Sequence, residues 1–257
     1  MFYFFVKNWR AILAVLISIA SLTLISAFPK VWIFFLVNCL WLGLLVVLSI
    51  FPLSKNKTNP LLPLVIVTAL SFIVLTSIVE WSVLALALRL LAGLVMWFLF
   101  LEQRQNQRIT LAHARKPLRR INMILWVFAG YTFLTTIFAF RLFFPSVPFW
   151  FFLVLAGAGM SAISFMIWRL YYDLKLKQSV IWLLFIGMVI IELVWVMNVL
   201  PFGYFVSGFL VTWIWYVLQL LLRFHFSPRG IDWKKQASFL IINGCLFFVC
   251  MFFIRWI

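Results

Sequence analysis

Nine apolar stretches, each about 18 to 22 residues long, succeed one another along the 257-residue chain with only short connections between them. They fall at about 11–28, 31–51, 61–78, 81–101, 121–140, 147–168, 179–199, 204–222 and 237–254. At 1.5 Å of rise per residue, each is long enough as a helix to cross a hydrocarbon core of ~30 Å. The pattern predicts an all-α integral membrane protein, one polytopic domain of about nine transmembrane helices joined as antiparallel hairpins. Only 10% of the residues are charged and 67% are apolar, against about a quarter and about half in a soluble domain. The solvent such a chain is built for is lipid.

The net charge of +16 does not point to nucleic acid. The basic residues sit in connections between spans, where they set topology and attract anionic headgroups, and no folded basic surface is left to follow a phosphate backbone. Seventeen of the 21 lysines and arginines lie on one alternate set of connections. Lys30, Arg141 and Arg255 lie on the other set, and Arg89 falls inside a span. This bias places the N-terminus in the cytoplasm and, after nine crossings, the C-terminus outside. The first apolar stretch is longer than a signal-peptide core and its Ile25-Ser26-Ala27 run fits a cleavage site poorly, so it reads as a retained helix. The nine prolines fall at or near span ends, where loss of a backbone donor is tolerated. Cys39, Cys245 and Cys250 lie within apolar spans without a CxxC pairing and read as small hydrophobes.

Within the spans, ionisable groups are scarce. Glu192 is the one acidic residue well inside a stretch, and Arg89 the one basic residue. A carboxylate at such depth is expensive unless paired or functional. Both positions lie roughly 10 to 12 Å from the same end of their helices, so an ion pair between them is the structural expectation and an ion or solute site the functional one. Asn198 is six positions from Glu192 and about 240° round the helix, which separates the two and suggests an end-capping role for Asn198. In the sixth stretch Gly157, Ser161, Ala158 and Ala162 make two overlapping small-xxx-small spacings, the signature of a close helix-packing face. The longest connection, 102–120, carries Arg104, Arg108, Arg115, Lys116, Arg119 and Arg120. Contact with anionic lipid headgroups explains this cluster, at roughly 1 kcal/mol per basic residue.

Recognisable chemistry is missing from the sequence. His113 and His225 lie in connections rather than spans, which removes a bis-histidine haem site, and no lysine is placed for an intramembrane Schiff base. The five acidic residues are scattered, and HExxH, GxSxG and Walker-type patterns do not occur. No cofactor or metal is expected.

Residues 192–210, ELVWVMNVLPFGYFVSGFL, resemble a segment of multispanning proteins predicted from bacterial genomes. The resemblance covers only the seventh and eighth stretches. It implies a bacterial cytoplasmic (inner) membrane and carries no activity or site residues. Three functions remain open: a non-catalytic subunit or accessory of a membrane assembly, bound to a membrane-protein partner; a small-solute or ion transporter using Glu192; and a membrane-embedded lipid-modifying enzyme. The poverty in chemistry favours the first. The topology has a direct check: a reporter fused after Ile257 should be active only on the outer side of the membrane, and a cytoplasmic reporter there would overturn the nine-crossing order.

Overall fold

A computed structural model describes residues 2–28, 30–50, 61–106, 116–172, 176–225 and 233–253. Among these the chain is all-helical, with no strands. The helices are α1 (Phe2–Ala27), α2 (Val31–Ile50), α3 (Leu62–Ile78), α4 (Ser82–Asn106), α5 (Lys116–Phe143), α6 (Phe149–Tyr171), α7 (Leu176–Val199), α8 (Tyr204–His225) and α9 (Trp233–Phe253). Seven are long and apolar enough to cross a membrane. The other two apolar segments are shorter, at Leu62–Ile78 and Ala237–Cys250.

Several helices run past the apolar stretches that the sequence marks, most of all at the facing ends of α4 and α5. Helix α4 continues past Leu101 to Asn106, and α5 starts at Lys116 instead of about residue 121. Glu, Gln and Arg are good helix formers, so the polar run after Leu101 prolongs α4 instead of ending it. Helix α1 also begins earlier than its apolar stretch, at Phe2, and is interrupted at Asn8, whose φ of −115° and ψ of 17° are not helical. Pro63 sits in the first turn of α3, where its missing N–H has no intrahelical partner to lose.

The helices divide into two compact units, Met1–Ala129 and Gly130–Ile257, with α5 split between them. In the first unit α1 packs on α4 and α2, α2 on α3, and α3 on α4, which closes a four-helix ring. Trp41 of α2 is fully buried in this unit. The Trp41 indole Nε1 donates to Ser18 Oγ at 3.1 Å, and that hydroxyl donates to the Ala14 carbonyl at 2.6 Å. One serine thus satisfies a tryptophan from the neighbouring helix and returns its own proton to the turn below. The N-terminal half of α5 adds Phe128, packed against Phe72 of α3 with ring centroids 4.9 Å apart and the rings tilted by 40°.

A matching device appears in the second unit. Trp215 of α8, also fully buried, donates to Ser164 Oγ of α6 at 3.0 Å, and Ser164 donates to Met160 O at 2.7 Å. Gln219, one turn further along α8, donates to the Ser164 carbonyl at 3.3 Å. The C-terminal half of α5 completes the packing through glycines. A Cβ on Gly130 would touch Met160 and Trp215, one on Gly159 would fall into the Phe133 ring, and one on Gly208 would fall into the Thr135 backbone.

Helices α6 and α7 make the closest pairing of this unit. Ser161 Oγ donates across to the Leu183 carbonyl at 2.8 Å. A Cβ on Gly157 would lie 2.9 Å from Ile191 Cγ1 and 3.0 Å from the Gly187 carbonyl oxygen. With lipid outside as apolar as any side chain, backbone proximity and cross-helix hydrogen bonds hold such helices together. Gly157→Leu should therefore lower stability by about 1 to 3 kcal/mol through overpacking, whereas Ser161→Ala should lower it by only about 0.6 kcal/mol. Thermal unfolding of the purified variants in detergent checks both magnitudes and their order.

Candidate functional site

The outward face of α7 carries the most unusual juxtaposition in the described structure. Ile186, Ile190 and Val194 are fully buried, so this edge of the helix is committed to its own unit. The opposite face presents Ile181, Leu184, Met188, Trp195 and Val199 as exposed residues. Their spacings of three, four, seven and four positions keep them on one side of the helix. Glu192 fills the gap in this series, four residues after Met188 and three before Trp195, and is exposed as well. The stripe is the kind of surface that meets lipid, and it has a carboxylate seven residues from its end, about 10 Å deep by helical rise.

Arg89 belongs to the other compact unit, on α4. It is half-buried beside the buried Ala85, Leu88 and Ala92. Its Nε is enclosed and has no hydrogen-bond partner among the described residues.

The small-residue face in α6 divides. Gly157 and Ser161 are turned to α7, as their contacts with Gly187, Ile191 and Leu183 show, while Ala158 and Ala162 are exposed. Two interleaved small-xxx-small spacings lie about 100° apart on a helix, so a single neighbour takes only one of them. Gly187 is the part that the sequence expectation did not single out. Of the basic cluster, Arg104 stands in the last turns of α4 and Lys116 in the first turn of α5. Arg119 is half-buried and Arg120 exposed on α5. Arg108 and Arg115 lie outside the described residues. Cys39 and Cys245 are exposed and Cys250 half-buried, all as free thiols.

Glu102 was expected in a connection, but the structure makes it a buried helix residue. It is 2% exposed and accepts a hydrogen bond from Asn122 Nδ2 at 2.9 Å, Asn122 being 4% exposed. The two residues stand at the polar ends of α4 and α5, within the first unit. Their near-symmetric placement about the 107–115 connection is the signal that finds the pair once α4 is allowed to run past Leu101. Asn198 also departs from its expected capping role. It makes no side-chain hydrogen bond among the described residues and faces a pocket instead. Among the described residues no three His, Cys, Asp or Glu side chains gather as a metal site.

The chain matches no protein-family model, no curated protein and no solved structure. The contrast between the two glutamates is measurable. Asn122→Leu removes the donor from a buried carboxylate and should cost about 1 to 3 kcal/mol of stability, while Glu192→Gln on the exposed stripe should change it by less than about 0.5 kcal/mol. Thermal unfolding of the purified chain reads both, and an equal effect at the two positions would contradict the difference in burial.

Proposed function

We propose that this protein is a non-catalytic subunit of a membrane assembly and that it docks a transmembrane helix of its partner along the outward stripe of α7. The observation that carries this reading is Glu192, exposed at mid-stripe among Leu184, Met188, Trp195 and Val199. An ionisable group near the bilayer centre costs about 2.5 to 3.5 kcal/mol even after the lipid and side chain adjust. A partner helix that brings a cationic or hydrogen-bond-donating side chain to this level offsets that cost. The flanking apolar residues, repeating every three to four positions, then form the seam into which the partner packs.

The same reading takes all nine helices as crossings of a bacterial cytoplasmic membrane, with the basic connections on the cytoplasmic side. Arg104, Arg108, Arg115, Lys116, Arg119 and Arg120 then lie against anionic headgroups. A transport role would require water to reach Glu192. Its position on a stripe of large apolar side chains supports a dry, helix-covered carboxylate instead.

A photo-crosslinking residue at Met188 or Trp195, introduced into the full chain in its native membrane, tests the docking. We expect a discrete protein adduct that is diminished when Glu192 is changed to Leu. Crosslinking to lipid alone would overturn the reading. So would restoration of a defective Glu192→Arg chain by Arg89→Glu, because the counter-ion would then belong to this chain and not to a partner.

A further inference from the structure

At the end of α5 remote from its basic first turn, a pocket of about 630 Å³ opens between α5, the α7–α8 turn and the start of α8. All of its lining residues belong to the second unit. Arg141, Asn198, Tyr204 and Ser207 supply its polar wall, and Phe138 and Met197 part of its apolar wall. Among the described residues no acidic side chain lines it. The Arg141 guanidinium lies 4.8 Å from the centroid of the Phe149 ring, a cation–π contact that holds the group in place without neutralising it. Among the described residues Arg141 has no carboxylate partner. Ser207 is 2% exposed, yet it lines the pocket and its hydroxyl makes no hydrogen bond among the described residues. The rest of the residue is enclosed, so its hydroxyl is left with the pocket as the place to find a partner.

The backbone adds to this donor set. The first intrahelical bond of α8 runs from Ser207 N to Gly203 O at 3.0 Å. The amides of Tyr204, Phe205 and Val206 therefore precede the helical ladder, at the positive end of the helix dipole. Side chains bearing a planar guanidinium, an amide and two hydroxyls, together with a helix start, line one space, and no acidic side chain among the described residues lines it with them. So many donors exceed what the two oxygens of a carboxylate accept, but they suit a phosphate group, whose oxygens take bidentate arginine and further donors together. Arg141 stands two residues before the end of α5, at the depth where a span meets the headgroup layer.

We propose that this pocket binds a phosphate oxyanion, carried either by a phospholipid headgroup or by a free phosphate ester. Arg141 is its charge partner, Asn198, Tyr204 and Ser207 are its neutral donors, and Phe138 and Met197 bound the apolar remainder of the ligand. The site is one of binding, and no bond of the ligand is broken there.

Native mass spectrometry of the full chain released from detergent tests this, with phosphatidylglycerol as one probe and inorganic phosphate as the other. The expected result is a retained phosphatidylglycerol adduct that Arg141→Gln weakens at least about tenfold, the size of one hydrogen bond to a charged group, and that Arg141→Lys largely restores. Stabilisation by inorganic phosphate with the same variant dependence, but without lipid retention, would identify the ligand as a free phosphate ester. Should Arg141→Gln fail to fold, Ser207→Ala decides, with a several-fold loss expected. Equal lipid retention and equal phosphate response in the native chain, Arg141→Gln and Ser207→Ala would overturn the proposal.

Discussion

A polar group inside a lipid-facing fold has no water to fall back on, and the described helices are organised by this constraint. Backbone groups are satisfied within each helix, as they must be. What remains is the side-chain inventory, and two buried tryptophans within it are met by one repeated solution. Ser18 and Ser164 each return a proton to the carbonyl one turn below and accept an indole from another helix. The arrangement fixes Trp41 and Trp215, two of the largest fully buried side chains, in register with their neighbours. A serine placed one turn away would leave each indole N–H in an apolar interior, where an unpaired donor costs several times what a made hydrogen bond returns. Register in both units is thus set by hydrogen bonds, while glycines such as Gly157 and Gly208 set the distance.

Hydropathy made the helices legible because length and apolarity are the only requirements for a span. It could not place their polar ends, and the error fell where it had a consequence. Glu102 stands one residue past the apolar run that defines α4, so an apolar window stops before it, whereas helix propensity carries α4 to Asn106. Glu102 and Asn122 were hidden for that reason. Gln219 was hidden for a different one: a single glutamine in a span does not lower its hydropathy enough to draw attention, and its role depends on Ser164, 55 residues earlier in the chain. The α6 packing face was half legible. Small residues at the right spacing mark where a helix can be approached, but which of two overlapping spacings is used depends on where Gly187 lies, and that is a property of the neighbour.

Glu192 was the most conspicuous residue in the sequence, and its setting clarifies what conspicuousness measures. Scarcity singled it out, since no other carboxylate lies so far inside an apolar stretch. Scarcity cannot say which face of the helix it occupies. The buried edge of α7 is marked by Ile186, Ile190 and Val194, and position 192 lies off that edge by helical rotation alone. The periodicity of branched aliphatics was available in the sequence, but α7 is apolar on both faces, so there was no polar side to orient it.

The two glutamates show how the same group serves opposite ends depending on its company. Glu102 is enclosed and hydrogen-bonded to Asn122 at the polar margin of its unit, where it contributes to joining α4 to α5. Glu192 lies on an open apolar stripe, where a carboxylate weakens contact with lipid and favours contact with a complementary surface. If this residue served only the fold, an alanine or leucine would serve it better, because the stripe around it is already suited to lipid. A charge held in such a position discriminates between surroundings: it is unfavourable in bare bilayer and favourable against a matched donor. On the docking proposed for α7, that difference would let the helix select a partner among many equally apolar alternatives.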